Sequence, residues 1–242
     1  MLGAWPIDTD RLLPYMEKAG REAKQHTSWV SPNKEFEDST RHFINSLYED
    51  DEFRNDFESF VQPLIEPGRI NSLAQTLLKL TSPGVPDLYQ GTELWDLSLV
   101  DPDNRRAVDY DLRRRLLREL HRSRVEEVFK RMDEGVPKLW TIHHAIRVRQ
   151  ERAAVFSDDG LYTPLRAEGK KSDHLVAYMR GDSVVVMAPR LVLKLNGSWG
   201  DAWLEVPSGK WRNRLSGSVF TGGKLQIGEV LNPFPVALLL KD

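Results

Sequence analysis

The sequence contains no cysteine, which excludes a disulfide framework and any cysteine-based metal site and fits a reducing, cytoplasmic setting. It has no apolar run near the roughly twenty residues needed to cross a bilayer, and its first residues lack the basic flank and apolar core of a secretory signal. Charge of one sign is not in excess either: 34 basic residues face 36 acidic ones, so electrostatics give no case for a nucleic-acid or membrane partner. The six histidines do not cluster, no ligand set for a metal or organic cofactor stands out, and there are no repeats or low-complexity tracts. What remains is a globular chain, since 242 residues at 40% hydrophobic content suffice for one large domain or two small ones.

The opening "MLGAWPIDTD" sets Leu2, Trp5 and Ile7 at the start without a polar lead-in, as if entered partway through an element that packs elsewhere. Helical spacing follows. Asp8 or Asp10 caps a helix carrying Leu12, Met16, Ala19 and Ala23, in which Pro14 is tolerable only in the first turn. Asn33 caps a second, with Phe36, Phe43, Ile44 and Leu47 on one face. Phe53, Phe57, Phe60, Val61 and Leu64 mark a third, ended by "EPGR" at Pro67 and Gly68, and Ile70, Leu73, Ala74, Leu77 and Leu78 mark a fourth. Further on, Leu112, Leu116, Leu120 and Val128 predict one long helix whose basic run "RRRLLRELHRSR" is a solvated face, and another helix is expected near 137–149. The adjacent His143 and His144 fall in that last helix.

After about Ala154 the period changes from helical to strand-like. "HLVAYMR" and "SVVVMAPR" flank Gly181-Asp182, a two-residue hairpin turn, and "AWLEVP", "GKWRN", "KLQIGEV" and "FPVALLL" are short strand-like runs punctuated by Gly, Pro or Asn. These predict an antiparallel β-sandwich over 155–242, with Trp199, Trp203 and Trp211 serving its core rather than a sugar platform.

Between the helical and strand-like parts lies "KLTSPGVPDLYQGTELWDLSLVDPDNRR", residues 79–106. A turn explains its Pro and Gly, and a short buried strand explains Val85, Leu88 and Tyr89, but neither explains "GTELWD" followed by "DPDNRR". A lone strand between two helices needs partners on both edges, and a helix, short strand, polar loop and helix in that order make one βα unit of a barrel. The loop after such a strand lies on the face where barrels keep their active sites.

"SPGVPDLYQGTELWD" resembles the eighth-strand signature of the α-amylase clan, in which Pro-Gly-x-Pro feeds a strand ending in Tyr-x-Gly-x-Glu and a C-terminal β-domain follows the barrel. With "LGAWP", "KAGREAKQHTSW", the continuation "DLSLVDPDNRR" and the closing "PVALLL", the resemblance narrows to the malto-oligosyltrehalose synthase family and covers essentially the whole length. It implies an α+β chain: residues 1–154 as the helical C-terminal part of a (β/α)8 barrel with its eighth strand and helix, then the sandwich over 155–242. It further implies an enzyme without cofactor, acting on malto-oligosaccharides by intramolecular transglucosylation. The reducing-end α-1,4 linkage becomes α,α-1,1, as in trehalose biosynthesis.

The same resemblance implies that the clan's catalytic Asp nucleophile, Glu acid/base and second Asp, carried after the fourth, fifth and seventh strands, precede Met1. Retaining transfer needs two carboxyl groups about 5 Å apart on rigid, separate supports, and only the loop after Tyr89 offers a support here. We therefore expect no catalytic residue in this chain, no turnover by it alone, and an unsatisfied strand edge that awaits the missing N-terminal barrel portion or drives self-association. Candidate sugar contacts are Trp95, Asp101, Asp103, Asn104, Arg105 and Arg106, against which stands an Asx-turn with a salt bridge. Tyr89 and Glu93 are expected at the barrel rim, Glu93 through backbone groups and an Arg. Two other readings stay open: a noncatalytic carbohydrate-binding or interaction module, and part of a hydrolase of the same clan.

Overall fold

The computed structural model describes residues 1–242 and divides into two compact units: Met1–Ile65 with Asp96–Val108, and Glu66–Trp95 with Asp109–Asp242. In the first unit, helix α1 (Thr9–Ala23) starts where the Asp8 carboxylate accepts from the backbone N–H of Arg11 at 2.9 Å. Helix α2 (Lys34–Glu49) starts where Asn33 accepts from Phe36 N at 3.2 Å. The two helices close on Ala4, Ile7, Leu12 and Ile44, and the Tyr48 hydroxyl donates to the Ile7 carbonyl at 2.7 Å. Pro14 sits in the second turn of α1 rather than the first, at the loss of one backbone bond.

The third and fourth predicted helices are one: α3 runs unbroken over Asp51–Thr81, through Pro67 and Gly68. Proline removes one donor and an interior glycine costs about 1 kcal/mol. Burial of Leu73, Leu77 and Leu80 in the following turns outweighs both.

The reverse occurs downstream, where the single long helix expected over 112–128 is broken into α4 (Tyr110–Leu120) and α5 (Val125–Lys130). The signal lies in the sequence: Glu127 accepts from the Arg124 backbone N–H at 3.0 Å and starts a new helix. Helix α6 (Val136–Glu151) follows as expected.

The strands are β1 (Tyr162–Leu165), β2 (Ala167–Glu168), β3 (Leu175–Arg180), β4 (Val184–Pro189), β5 (Trp203–Asn213), β6 (Val219–Gln226) and β7 (Ala237–Lys241), with short helices α7 (Val192–Leu195) and α8 (Ile227–Val230) among them. They form one antiparallel sheet in the order β1-β3-β4-β7-β5-β2, with β6 also paired to β5, in place of the two separate sheets of a sandwich. The cause is a bulge in β5 between Val206 and Lys210. Before it Trp203 and Leu204 pair with β2, and after it residues 211–213 pair with β7, so the ladder turns a corner unbroken. The β3–β4 turn holds three residues rather than two, since Arg180 pairs with Val184.

Strand β4 is buried along its whole length, which is why "VVVMA" is continuously apolar. Val184, Val186 and Ala188 share a cluster with Leu77, Leu80, Trp140 and Val148 of the helices. Val185 and Met187 share another with Trp211, Leu204 and Ile227. The change of period near residue 154 therefore does not separate compact units, because one apolar core joins the helices to the sheet. Trp211 is fully buried and Trp199 packs on the second cluster, as the core reading expects, while Trp203 carries the Lys224 ammonium 4.4 Å from its ring centre.

Segment 85–90 departs furthest from expectation. It forms no strand, and Val85 is 100% exposed. A strand exists only through hydrogen-bonded neighbours, and no strand of this chain pairs with it. Its point of departure is nonetheless rigid. The last carbonyls of α3 accept from arginines, Leu80 from Arg149 at 3.0 Å and Thr81 from buried Arg180 at 3.2 Å, while the Thr81 hydroxyl lies 2.6 Å from that of Tyr178 on β3.

If Gly68 lies inside a helix, with open space where a β-carbon would stand, Gly68→Ala should stabilise the chain by about 0.5–1 kcal/mol. A rise in urea midpoint is the expected readout. A fall would restore the helix break at Pro67-Gly68.

Candidate functional site

The polar stretch after segment 85–90 is shared between the two units, which hold its halves in different ways. In the second unit, Gly91 takes φ +93°, a left-handed conformation that a side chain would strain. The Thr92 backbone N–H and hydroxyl both donate to the Tyr89 carbonyl, at 3.0 and 2.6 Å. Arg113 reaches back from α4, its Nε donating to Glu93 Oε2 at 2.8 Å and its Nη2 to the Gly91 carbonyl at 2.6 Å. That fork makes Arg113 an exception to the solvated face expected for the basic run. Trp95 is half-buried against the apolar core, and its indole N–H donates to the Met132 carbonyl. Gly135 lets this approach happen, because a β-carbon there would stand 2.7 Å from Trp95 N. Trp95 is thus anchored with its polar group turned inward.

In the first unit, residues 96–108 are held by α1. The Arg11 guanidinium binds Asp103 through two bonds, Nε to Oδ1 at 2.8 Å and Nη2 to Oδ2 at 2.9 Å, and Nη2 also donates to the Leu97 carbonyl at 2.9 Å. The Leu99 N–H adds a 2.6 Å bond to Asp103 Oδ2. Only 2% of the Asp103 side chain is exposed. The bond to Arg11, then the Leu99 N–H and the Arg11 and Arg106 charges, hold its carboxyl below the usual range against the opposing effect of burial; the same pair raises Arg11. Both oxygens of this buried carboxylate are thus filled by groups of this chain.

Its neighbours are more open. Lys18 donates to the Asp101 carbonyl at 2.7 Å and lies 3.3 Å from its carboxylate, which also meets Arg105. Arg106 donates to Ser98 Oγ at 2.7 Å and to the Asp103 carbonyl at 3.1 Å. Asn104 Oδ1 is buried without a partner, and Arg105 is largely exposed. Of the predicted residues, the structure gathers Asp101, Asp103, Asn104, Arg105 and Arg106 in one unit and Tyr89, Glu93 and Trp95 in the other.

Glu93, Asp101 and Asp103 each meet a cation, so the stretch is built to hold shape and to offer the remaining donors of its arginines and Asn104. Sequence reasoning missed Arg11, Lys18 and Arg113. The need for cations was visible in "DPDNRR", but nothing local shows that one comes from 92 positions away.

Among the histidines, His144 is lowered to about 4 by burial first and then by the His143 and Arg214 charges. Its ring lies edge-on to Trp140 at 4.1 Å, with neither nitrogen partnered, which is the setting of a packed neutral imidazole.

No protein-family model matches the chain. A putative maltooligosyl trehalose synthase of Mycobacterium tuberculosis is 38% identical over 250 residues, covering 100% of this chain and 30% of that protein. The solved maltooligosyltrehalose synthase of Arthrobacter ramosus superimposes with a TM-score of 0.88 at 36% identity, again over 100% of this chain and 31% of that one. This chain is homologous to one part of maltooligosyl trehalose synthase. A hypothetical maltooligosyl trehalose synthase of Sulfolobus tokodaii also matches, with a TM-score of 0.75 at 27% identity over 99% of this chain and 30% of its own. The chain spans about 30% of the length of the curated synthases it matches.

Replacing the Asp103 carboxylate should cost about 2–4 kcal/mol at neutral pH, read as a lower urea midpoint for Asp103→Asn. A lowered folded-state pKa means that the contribution is present above the unfolded carboxylate pKa, about 4, and lost as pH falls through the folded value. The gap between wild type and Asp103→Asn should therefore narrow in acid. A gap independent of pH would contradict the charged clamp.

Proposed function

We propose that the chain is the carboxy-terminal portion of a maltooligosyl trehalose synthase whose substrate is a malto-oligosaccharide. In this reading, residues 1–154 complete a (β/α)8 barrel, with 85–90 as its eighth strand and α4 after it, and 155–242 form the C-terminal β-domain. The complete enzyme is a cytoplasmic (1→4)-α-D-glucan 1-α-D-glucosylmutase that turns the reducing-end α-1,4 linkage into α,α-1,1 by intramolecular transfer. The observation that carries the reading is the match of this whole chain to 31% of the Arthrobacter ramosus synthase, at a TM-score of 0.88. The unpaired segment 85–90 supports it, because a barrel strand deprived of its neighbours loses its ladder partners, and here no strand pairs with the segment and Val85 is fully exposed.

The chemistry constrains the walls. A covalent glycosyl intermediate open to bulk water is hydrolysed, so an isomerising enzyme holds the released glucose in place while it turns and re-attacks. Residues 96–106, clamped by Arg11 and Lys18, are rigid enough to serve as such a wall, with Arg105 projecting from it. The missing carboxylates belong to the part of the enzyme outside this chain, and the partner of the bare edge at 85–90 is that same part. In its absence, the edge either pairs with a second copy of this chain or stays locally disordered.

The test is product analysis with maltohexaose. The complete enzyme containing these residues should yield trehalose-ended oligosaccharide and the pure 242-residue chain none; free glucose and maltose alone from the complete enzyme would identify a hydrolase instead. In the complete enzyme, Arg105→Ala should raise the ratio of hydrolysis to isomerisation without loss of fold, since 72% of its side chain is exposed. An unchanged ratio would return Arg105 to a surface ion pair.

A further inference from the structure

Trp29 is 56% exposed, an unusual position for the largest apolar side chain, and the turn that presents it is firmly built. Thr27 is buried, its hydroxyl donating to Glu37 Oε1 at 2.6 Å and accepting from Asn33 N at 3.0 Å. Ser28 and Ser31 close the turn through two bonds, Ser28 N to the Ser31 carbonyl at 3.2 Å and Ser31 N to Ser28 Oγ at 3.0 Å. Arg21 grips Glu37 with two 2.8 Å bonds and lays its guanidinium 4.8 Å from the centre of the Trp29 ring. One face of the indole is thereby backed by a cation, and the exposed remainder borders an open groove of about 580 Å³ in the same unit.

The groove's chemistry selects a ligand class. Besides Trp29, its charged lining is Glu17, Glu22 and Asp101 with Lys18 and Arg41, while Arg21 behind the indole is already matched by Glu37. An anionic ligand finds no net attraction there, and an apolar one strands the charges. A neutral polyhydroxyl ligand suits both features, because the C–H face of a pyranose covers an indole while its hydroxyls meet carboxylates and cations. Capacity is left over for such bonds: Arg41 is about half exposed and meets Glu17 only at 3.6 Å, and Glu22 is exposed, 3.9 Å from Lys18. Asp101 is shared between this groove and the polar stretch, and the Arg11–Asp103 clamp two residues on fixes that wall.

We propose that this groove is a subsite for a glucose residue of an α-1,4-glucan, with Trp29 as the stacking platform and Glu17, Glu22, Arg41 and Asp101 as partners for its hydroxyls. The α-1,4 linkage rests on the function proposed above; the neutral sugar rests on the groove.

The test is a titration of the ¹⁵N-labelled 242-residue chain with maltohexaose, following the Trp29 indole N–H. Shifts at Trp29 and the 27–33 turn are expected, with binding weakened about tenfold in Trp29→Ala and largely retained in Trp29→Tyr, which keeps an aromatic face. Exposure of the side chain predicts unchanged thermal unfolding for both variants, so lost binding is not lost fold. Cellohexaose should bind more weakly; equal binding would overturn the α-1,4 assignment. Absence of binding by the wild-type chain, or equal binding by Trp29→Ala, would overturn the subsite itself. Neither result bears on the trehalose-forming reading, which stands or falls on product analysis.

Discussion

The Arg11–Asp103 pair fixes the first unit. One guanidinium supplies two bonds to a buried carboxylate and a third to the Leu97 carbonyl, tying a stretch that lacks an apolar core of its own to helix α1. Charge-assisted, bidentate geometry is the strong form of a hydrogen bond, and here it operates with the carboxylate almost out of water. Because Asp103 is committed inward, its neighbours Asp101, Asn104 and Arg105 keep defined positions.

The second unit solves the same problem with Arg113, which binds Glu93 and the Gly91 carbonyl together. Two arginines from two helices thus hold the two halves of one polar stretch, each within its own unit. The helix terminus that launches the stretch is held by Arg149, Arg180 and Tyr178. Cations satisfy carbonyls that a helix end leaves open.

What the sequence made legible was local. Asn33 and Asp8 as caps, the α6 helix, the β3–β4 hairpin and buried Trp211 all follow from spacing and turn chemistry within a few residues. The motif around Glu93 was legible through resemblance, and the homology to the synthases agrees with it. Illegible were outcomes set by competition or distance. Pro67 and Gly68 read as a stop, yet burial of Leu73 and Leu77 carries α3 across them. The bulge in β5 merges two expected sheets into one, and no pattern of alternation announces it. Asp103 and Trp95 read as surface groups because their partners, Arg11 and the Met132 carbonyl, lie far away in sequence.

The central proposal is that segment 85–90 becomes a barrel strand only with neighbours from outside this chain, and amide hydrogen exchange tests it most directly. In the monomeric 242-residue chain, amides of 85–90 should exchange near the unprotected rate, while those of 184–188 in fully buried β4 are slow. Equal protection of the two segments in a monodisperse monomer would mean that 85–90 has found partners within the chain, and the barrel-strand account would be wrong.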